Sequence, residues 1–131
     1  VKKRIVLGTY ILSAGYHDAY YRKACILRDR LVADVKKVFT EVDAIMMPTT
    51  PDTSFKIGEK IDDSLALYLA DIFTVTANLV GVPAISVPYT TGQDENENPV
   101  RGTASGLPLG IQLLADTDKE HLLFALGKMI Y

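Results

Sequence analysis

One cysteine, Cys25, stands alone in the 131 residues, so no internal disulfide can form, and two histidines without paired thiols offer no recognised zinc-ligand spacing. No uncharged apolar run approaches the roughly 18 residues that a membrane helix needs. The opening Val1-Lys2-Lys3-Arg4 has neither the apolar region nor the cleavage site of a secretory signal. Basic residues form no block along the chain. Fourteen Lys and Arg against sixteen Asp and Glu give a net charge of -2, which disfavours direct, electrostatically driven binding of nucleic acid. A phosphate-cradling glycine loop is missing, as is the Gly-x-Ser-x-Gly elbow of many hydrolases. These absences describe an expected cytoplasmic chain, or one of an organellar matrix, with no metal site, no cofactor of its own and no membrane partner.

What is present has the balance of an ordinary folded domain, at 48% hydrophobic and 23% charged residues, and residues 1–131 fit a single domain by size. Tyr20, Ala24, Leu27, Leu31, Val35 and Val38 recur at steps of three and four, which predicts one apolar stripe on a long helix. A shorter helix over 2–12 precedes it across a joint at Ser13-Ala14-Gly15. Val42 to Met47, closed by Pro48, is too short for a further helix and reads as a buried strand, followed by a loop over 48–61. Asp62, Asp63 and Ser64 are candidate caps for a buried helix carrying Leu65, Tyr68, Leu69, Ile72, Val75, Thr76 and Leu79, ended by Gly81 and Pro83. Ala84 to Val87 and Leu109 to Leu114 are further strand candidates, separated by a polar loop over about 90–106. Asp118 is placed to cap a final helix with Leu122, Leu123, Leu126 and Ile130 on its apolar side.

Helices alternating with short buried strands predict an α/β fold. Apolar strands need cover on both faces, yet few helices and strands are available, so the sheet is expected to be incomplete. The first residue is Val1, and Tyr131 ends a helical pattern with no cap after it. Both observations lead us to expect a piece of a longer polypeptide.

Few residues are candidates for chemistry. Ser105, in Gly102-Thr103-Ala104-Ser105-Gly106, falls one place late for a nucleophile elbow and lies in a polar loop without a strand-to-helix turn to hold it. His17 and His121 are far apart in sequence, and local hydrogen bonding accounts for each as well as general-base work does. Cys25 fits a small packed residue of the long helix. Asp71 lies mid-helix on the same face as Tyr68 and Val75, where a carboxylate is costly to bury unless a cation or several donors meet it. An ion pair or an exposed flank are the bland alternatives. Arg4, beside Lys2 and Lys3, reads by pattern alone as part of a solvated face.

The run Lys3-Arg4-Ile5-Val6-Leu7-Gly8-Thr9-Tyr10, continuing through Ser13-Ala14-Gly15-Tyr16-His17-Asp18-Ala19-Tyr20-Tyr21, resembles the amidase-signature family. The likeness goes on through Pro48-Thr49-Thr50-Pro51, Asp71-Ile72-Phe73-Thr74, Gly81-Val82-Pro83-Ala84-Ile85-Ser86-Val87-Pro88 and Gly106-Leu107-Pro108-Leu109-Gly110-Ile111-Gln112. It covers nearly the whole chain in order, and is strongest toward the branch that serves tRNA-dependent amidation. The resemblance implies the C-terminal portion of an α/β/α sandwich, with a mixed sheet flanked by helices. The family's catalytic lysine and two serines belong to an N-terminal glycine- and serine-rich signature that has no match here, so no catalytic residue is expected in this chain. The implied activity is release of ammonia from glutamine in a complex with B and C subunits. The B subunit uses ATP and Mg to amidate Glu-tRNA(Gln) or Asp-tRNA(Asn), and the charged tRNA is met only through it. By the same resemblance Arg4 matches the arginine on the glutamine α-carboxylate, and Asp71 the aspartate on its α-ammonium. A zwitterionic carbon does call for a guanidinium and a carboxylate converging on it. His17 in place of a common Tyr, Thr76 in place of a common Pro, and a long loop from Thr90 to Ser105 depart from the family pattern. Another amidase-signature amide hydrolase, and a non-enzymatic binding or scaffold module, stay open.

Overall fold

The computed structural model describes residues 2–13, 15–58, 64–93, 99–101 and 107–130. Helix α1 spans Lys2–Ile11 and is stopped where the Ser13 hydroxyl donates to the Tyr10 carbonyl at 2.6 Å and Gly15 takes φ +87°, a value that a side chain resists. A π-helical turn, His17–Tyr21, then runs into α2, Arg22–Val38. The expected joint between two helices is therefore there. Tyr10, Tyr16 and Tyr20 stack across it, with ring centroids 4.4 and 6.0 Å apart, and set the direction in which α1 leaves α2. The Tyr16 side-chain hydrogen bond, with a smaller contribution from burial, raises the pKa of Tyr10.

Three strands make the main sheet: β1, Ala44–Pro48; β2, Ala84–Pro88; and β5, Gly110–Ala115, in the order β1-β5-β2. Both pairings are antiparallel, so β1 and β2 run the same way on either side of β5. All three follow the expected apolar runs to within a residue or two. The period of two along a strand sends alternate β5 residues to opposite faces. Leu114 meets Ile45, Met47, Phe39 and Val80, and through them Leu31, Val32 and Val35 of α2. Leu113 and Ala115 meet Leu123, Leu122, Leu126 and Ile130 of α5, Glu120–Ile130. Helix, sheet and helix thus form the three layers of an α/β/α arrangement.

The predicted helix over 65–79 is broken. Helix α3, Ser64–Ala70, and helix α4, Thr74–Val80, are separated by a tight turn at residues 71–73. There the Asp71 and Ile72 amides donate to carbonyls only three residues back, Tyr68 and Leu69, and the Thr74 hydroxyl donates to the Asp71 carbonyl at 3.0 Å. Nor is this helical pair buried: Leu65, Tyr68, Leu69, Ile72, Val75 and Leu79 are all exposed, and Val80 alone of α4 is buried, because no described layer covers their outer side. The same holds for the first half of the long-helix stripe, where Tyr20 and Leu27 face solvent and the contacts with the sheet begin at Leu31. The candidate caps Asp62 and Asp63 lie outside the described residues.

Two further expectations need correction. The polar stretch after β2 contains a pair of antiparallel strands, β3 at Thr90–Gln93 and β4 at Pro99–Arg101, in place of a continuous loop. β-branched threonines favour extended backbone, and Pro99 is tolerated at the start of an edge strand. Asp118 does not cap α5. It adopts φ +64° two residues before the helix, while the Asp116 carboxylate accepts from the Thr117 amide at 2.7 Å and shapes the turn.

That same carboxylate ties two layers together. Lys36, in the last turn of α2, donates to Asp116 and, at 2.8 Å, to the Thr117 hydroxyl. The Lys36 hydrogen bond, then the Thr117 amide, holds the Asp116 pKa below its ordinary 3.8. A carboxyl with a depressed folded pKa stabilises above the unfolded value, and the contribution is lost as pH falls through the folded one. Asp116→Asn should therefore lower the thermal midpoint at neutral pH, and the gap from wild type should close as pH falls below the ordinary carboxyl range, as paired melts would measure. At the end of the sheet, a Cβ on Gly110 would lie 2.7 Å from Thr49 Oγ1 and 3.0 Å from Ser86 Oγ. Denaturant titration should show Gly110→Ala to be destabilised by about 1–3 kcal/mol through overpacking.

Candidate functional site

Helix α1 and the α3–α4 break bring Arg4 and Asp71 together from distant parts of the sequence. A guanidinium nitrogen of Arg4 lies 3.8 Å from Asp71 Oδ2, with the side chains 61% and 55% exposed. This is an ion pair wider than a hydrogen bond, so both groups keep hydrogen-bonding capacity toward a third molecule. Arg4 also lies over the Tyr68 ring, 4.9 Å from its centroid, which fixes the plane of the guanidinium by cation–π attraction. Tyr68 comes one helical turn before Asp71, the spacing that puts both on one face. The three side chains share an open cleft of about 400 Å³ with Leu7, Gly8, Ile11 and Val75. Its walls are largely apolar and its charges number one of each sign.

The other candidates do not join this cleft. His17 faces its neighbour Asp18 at 3.3 Å and the Tyr21 ring at 5.1 Å, a local arrangement on the exposed turn. His121 is exposed on α5, and Cys25 is half-buried within α2 as a free thiol. Ser105 lies outside the described residues. Among the described residues no group of three His, Cys, Asp or Glu side chains is arranged to hold a metal ion, and no helix is long and apolar enough to cross a membrane. A second cleft of about 390 Å³, between residues 50–55 and α3, has Asp52 as the sole charged side chain among its described lining residues, and therefore no opposed charge pair.

Sequence reasoning missed Tyr68 as a partner of Arg4, although its distance of three from Asp71 was the available signal. It also missed Gln112. This residue of β5 is the one buried polar side chain among the described residues, and its Nε2 donates to the Phe73 carbonyl, at the α3–α4 break, at 3.2 Å.

The layered α/β fold has counterparts among known proteins. Residues 1–124 match the amidase family, and the chain belongs to it. Over 130 residues the chain is 56% identical to the A subunit of the Glutamyl-tRNA(Gln) amidotransferase of Koribacter versatilis, covering 99% of this chain and 25% of that protein. The protein of the same description from Clostridium botulinum (strain Langeland) is 50% identical over 127 residues, covering 97% of this chain and 24% of that one. The chain thus spans about a quarter of the length of the curated relatives it matches. Its fold matches the crystal structure of the A subunit of the Glutamyl-tRNA(Gln) amidotransferase from Thermotoga maritima with a TM-score of 0.66 and 42% identity, over 97% of this chain and 24% of that one. A 6-aminohexanoate cyclic dimer hydrolase matches at a TM-score of 0.54 and 28% identity, over 77% of this chain and 22% of that one.

A half-exposed pair contributes little to folding, because water screens it and ordering two long side chains costs entropy. Arg4→Ala and Asp71→Ala should each leave stability within about 1 kcal/mol of wild type, measured by chemical denaturation of the intact protein.

Proposed function

We propose that this chain is the part of an amidotransferase A subunit that recognises glutamine, within a complex that supplies ammonia for amidation of Glu-tRNA(Gln) or Asp-tRNA(Asn). The observation that carries the proposal is the convergence of Arg4 and Asp71 at 3.8 Å in an open cleft. Free glutamine displays a carboxylate and an ammonium on one carbon. Arg4 offers the fork that binds the first, and Asp71 the anion that binds the second. The distal amide then extends away from the pair. The catalytic lysine and serines would lie on the remaining three quarters of the longer polypeptide, so the 131 residues alone are expected to be inactive. B and C subunits complete the complex, with ATP and Mg used on the B subunit, where the charged tRNA also binds. The compartment would be the cytoplasm or an organellar matrix.

The surface of the chain supports its place in a larger body. Its accessible area is 9859 Å², against roughly 6,800 Å² for a compact monomer of this mass. Large apolar side chains are exposed, including Ile5, Val6 and Leu7 on α1, Leu27 on α2 and Met46 on the edge strand β1. These residues would be covered by the rest of the same polypeptide. A second reading, an amide hydrolase of other specificity, is favoured by the fold shared with the cyclic dimer hydrolase, but an opposed charge pair suits an amino-acid head group better than a simple amide.

Charge-assisted hydrogen bonds of about 1.5–3 kcal/mol each correspond to roughly 10- to 100-fold in affinity. In the full-length protein with its partner subunits, Arg4→Ala and Asp71→Ala should each raise the glutamine KM by that order, with a far smaller effect on hydrolysis of an aliphatic amide without the head group. Unchanged glutamine KM in both variants refutes the proposal.

A further inference from the structure

We infer that Gln112 is a positioning residue for the Arg4–Asp71 pair, acting through the Phe73 carbonyl to hold the helix break that presents Asp71. The inference rests on the head-group reading above and deepens it. An amide in the middle of the central strand, 5% exposed, is costly unless its polar atoms are met. The flanking residues of that strand, Ile111 and Leu113, are apolar, as is Met47, its register partner on β1, while Ser86, its register partner on β2, has its hydroxyl paired with that of Thr49 at 2.7 Å. An apolar side chain would fill the position as well. The Gln112 amide N–H instead crosses from the sheet to the helical layer and donates at 3.2 Å to the carbonyl of Phe73, the residue immediately before α4.

The place of that contact gives it significance. Residues 71–73 are where the helical ladder changes from bonds four residues back to bonds three residues back. Were α3 and α4 one continuous helix, the Asp71 side chain would leave at a different angle to α1. Thr74 and Asn78 secure the turn from within α4, by bonds to the Asp71 and Thr74 carbonyls. Such local bonds set the shape of the turn but leave its position relative to the sheet free. Gln112 supplies that reference at the N-terminal end of α4. At the other end the Arg28 Nε donates to the Leu79 carbonyl at 2.7 Å and ties α4 to α2. These contacts at both ends oppose sliding and rotation of α4, which keeps the Asp71 carboxylate within reach of Arg4.

The test is a double-mutant cycle on the full-length protein with its partner subunits, with glutamine and a short aliphatic amide as substrates. Gln112→Met keeps the volume and removes the donor. It should raise the glutamine KM about fivefold, leave kcat within about twofold, and leave the aliphatic amide kinetics unchanged. In an Asp71→Asn background the same substitution should have no further effect on the glutamine KM, because a residue that acts through Asp71 has nothing left to position. If Asp71→Asn raises KM but Gln112→Met does not, or if the two effects multiply, the inference fails while the head-group reading stands. An unchanged KM in Asp71→Asn sinks that reading, and the inference falls with it. A parallel loss of kcat toward both substrates with a lowered melting midpoint would show a merely structural role and overturn the inference. Gln112→Glu, which turns the donor into an acceptor facing a carbonyl, reads the same contact should the Met variant not fold.

Discussion

Strand β5 is the constraint on which the other elements depend. It pairs with β1 on one side and β2 on the other, and its alternate residues define both cores: Leu114 toward α2 and α4, Leu113 and Ala115 toward α5. Leu114 and Ala115 are wholly buried. A shift of β5 by one residue would exchange the two faces, sending Gln112 into the α5 core and Leu113 toward the helix break. Register in the sheet is therefore also register of the site, because the one residue that reaches from β5 to the α3–α4 turn must be on the correct face to do so.

The chain uses two kinds of polar contact with different consequences. Lys36 with Asp116 joins layers at the end of the central strand, where both partners are partly shielded and an amide and a hydroxyl complete the arrangement. Such a satisfied cluster fixes geometry. Arg4 with Asp71 has the opposite character: more than half exposed, wider than a hydrogen bond and backed only by an aromatic ring. A pair arranged for folding would be closer and better satisfied. An under-coordinated pair of opposite charges is what a zwitterion can bridge with little to displace but water.

The layered fold was legible because its strands are short apolar runs bounded by proline and its longest helix has a clear period. The helix break was not, since neither glycine nor proline occurs between Leu65 and Val80 and the period runs through it without interruption. The bonds found at the break are that of the Thr74 hydroxyl to the Asp71 carbonyl and that of Gln112, nearly forty positions later, to the Phe73 carbonyl, and the second is invisible in one dimension. Arg4 carried no signal by pattern, being one cation among three; only the family resemblance singled it out. Gln112 was quoted within that resemblance but had no assigned role, because an amide in an apolar strand reveals its partner only when the layers are stacked. The hairpin strands at 90–93 and 99–101 were hidden by a polar composition that also suits a loop.

Exposure of the cleft and exposure of the apolar faces are two sides of one condition. At about 4 Å, opposite charges attract by about 1 kcal/mol in bulk water but about 4 kcal/mol at an effective dielectric of 20. Burying Ile5, Val6 and Leu7 beneath further chain would carry the neighbouring Arg4 from the first regime toward the second. The same cover would raise the cost of any misalignment, since a desolvated charge facing the wrong way loses its partner and its water together. A break in α3–α4 that tolerates small shifts in an open cleft would then need a rigid reference, and the buried amide on β5 is placed to supply one.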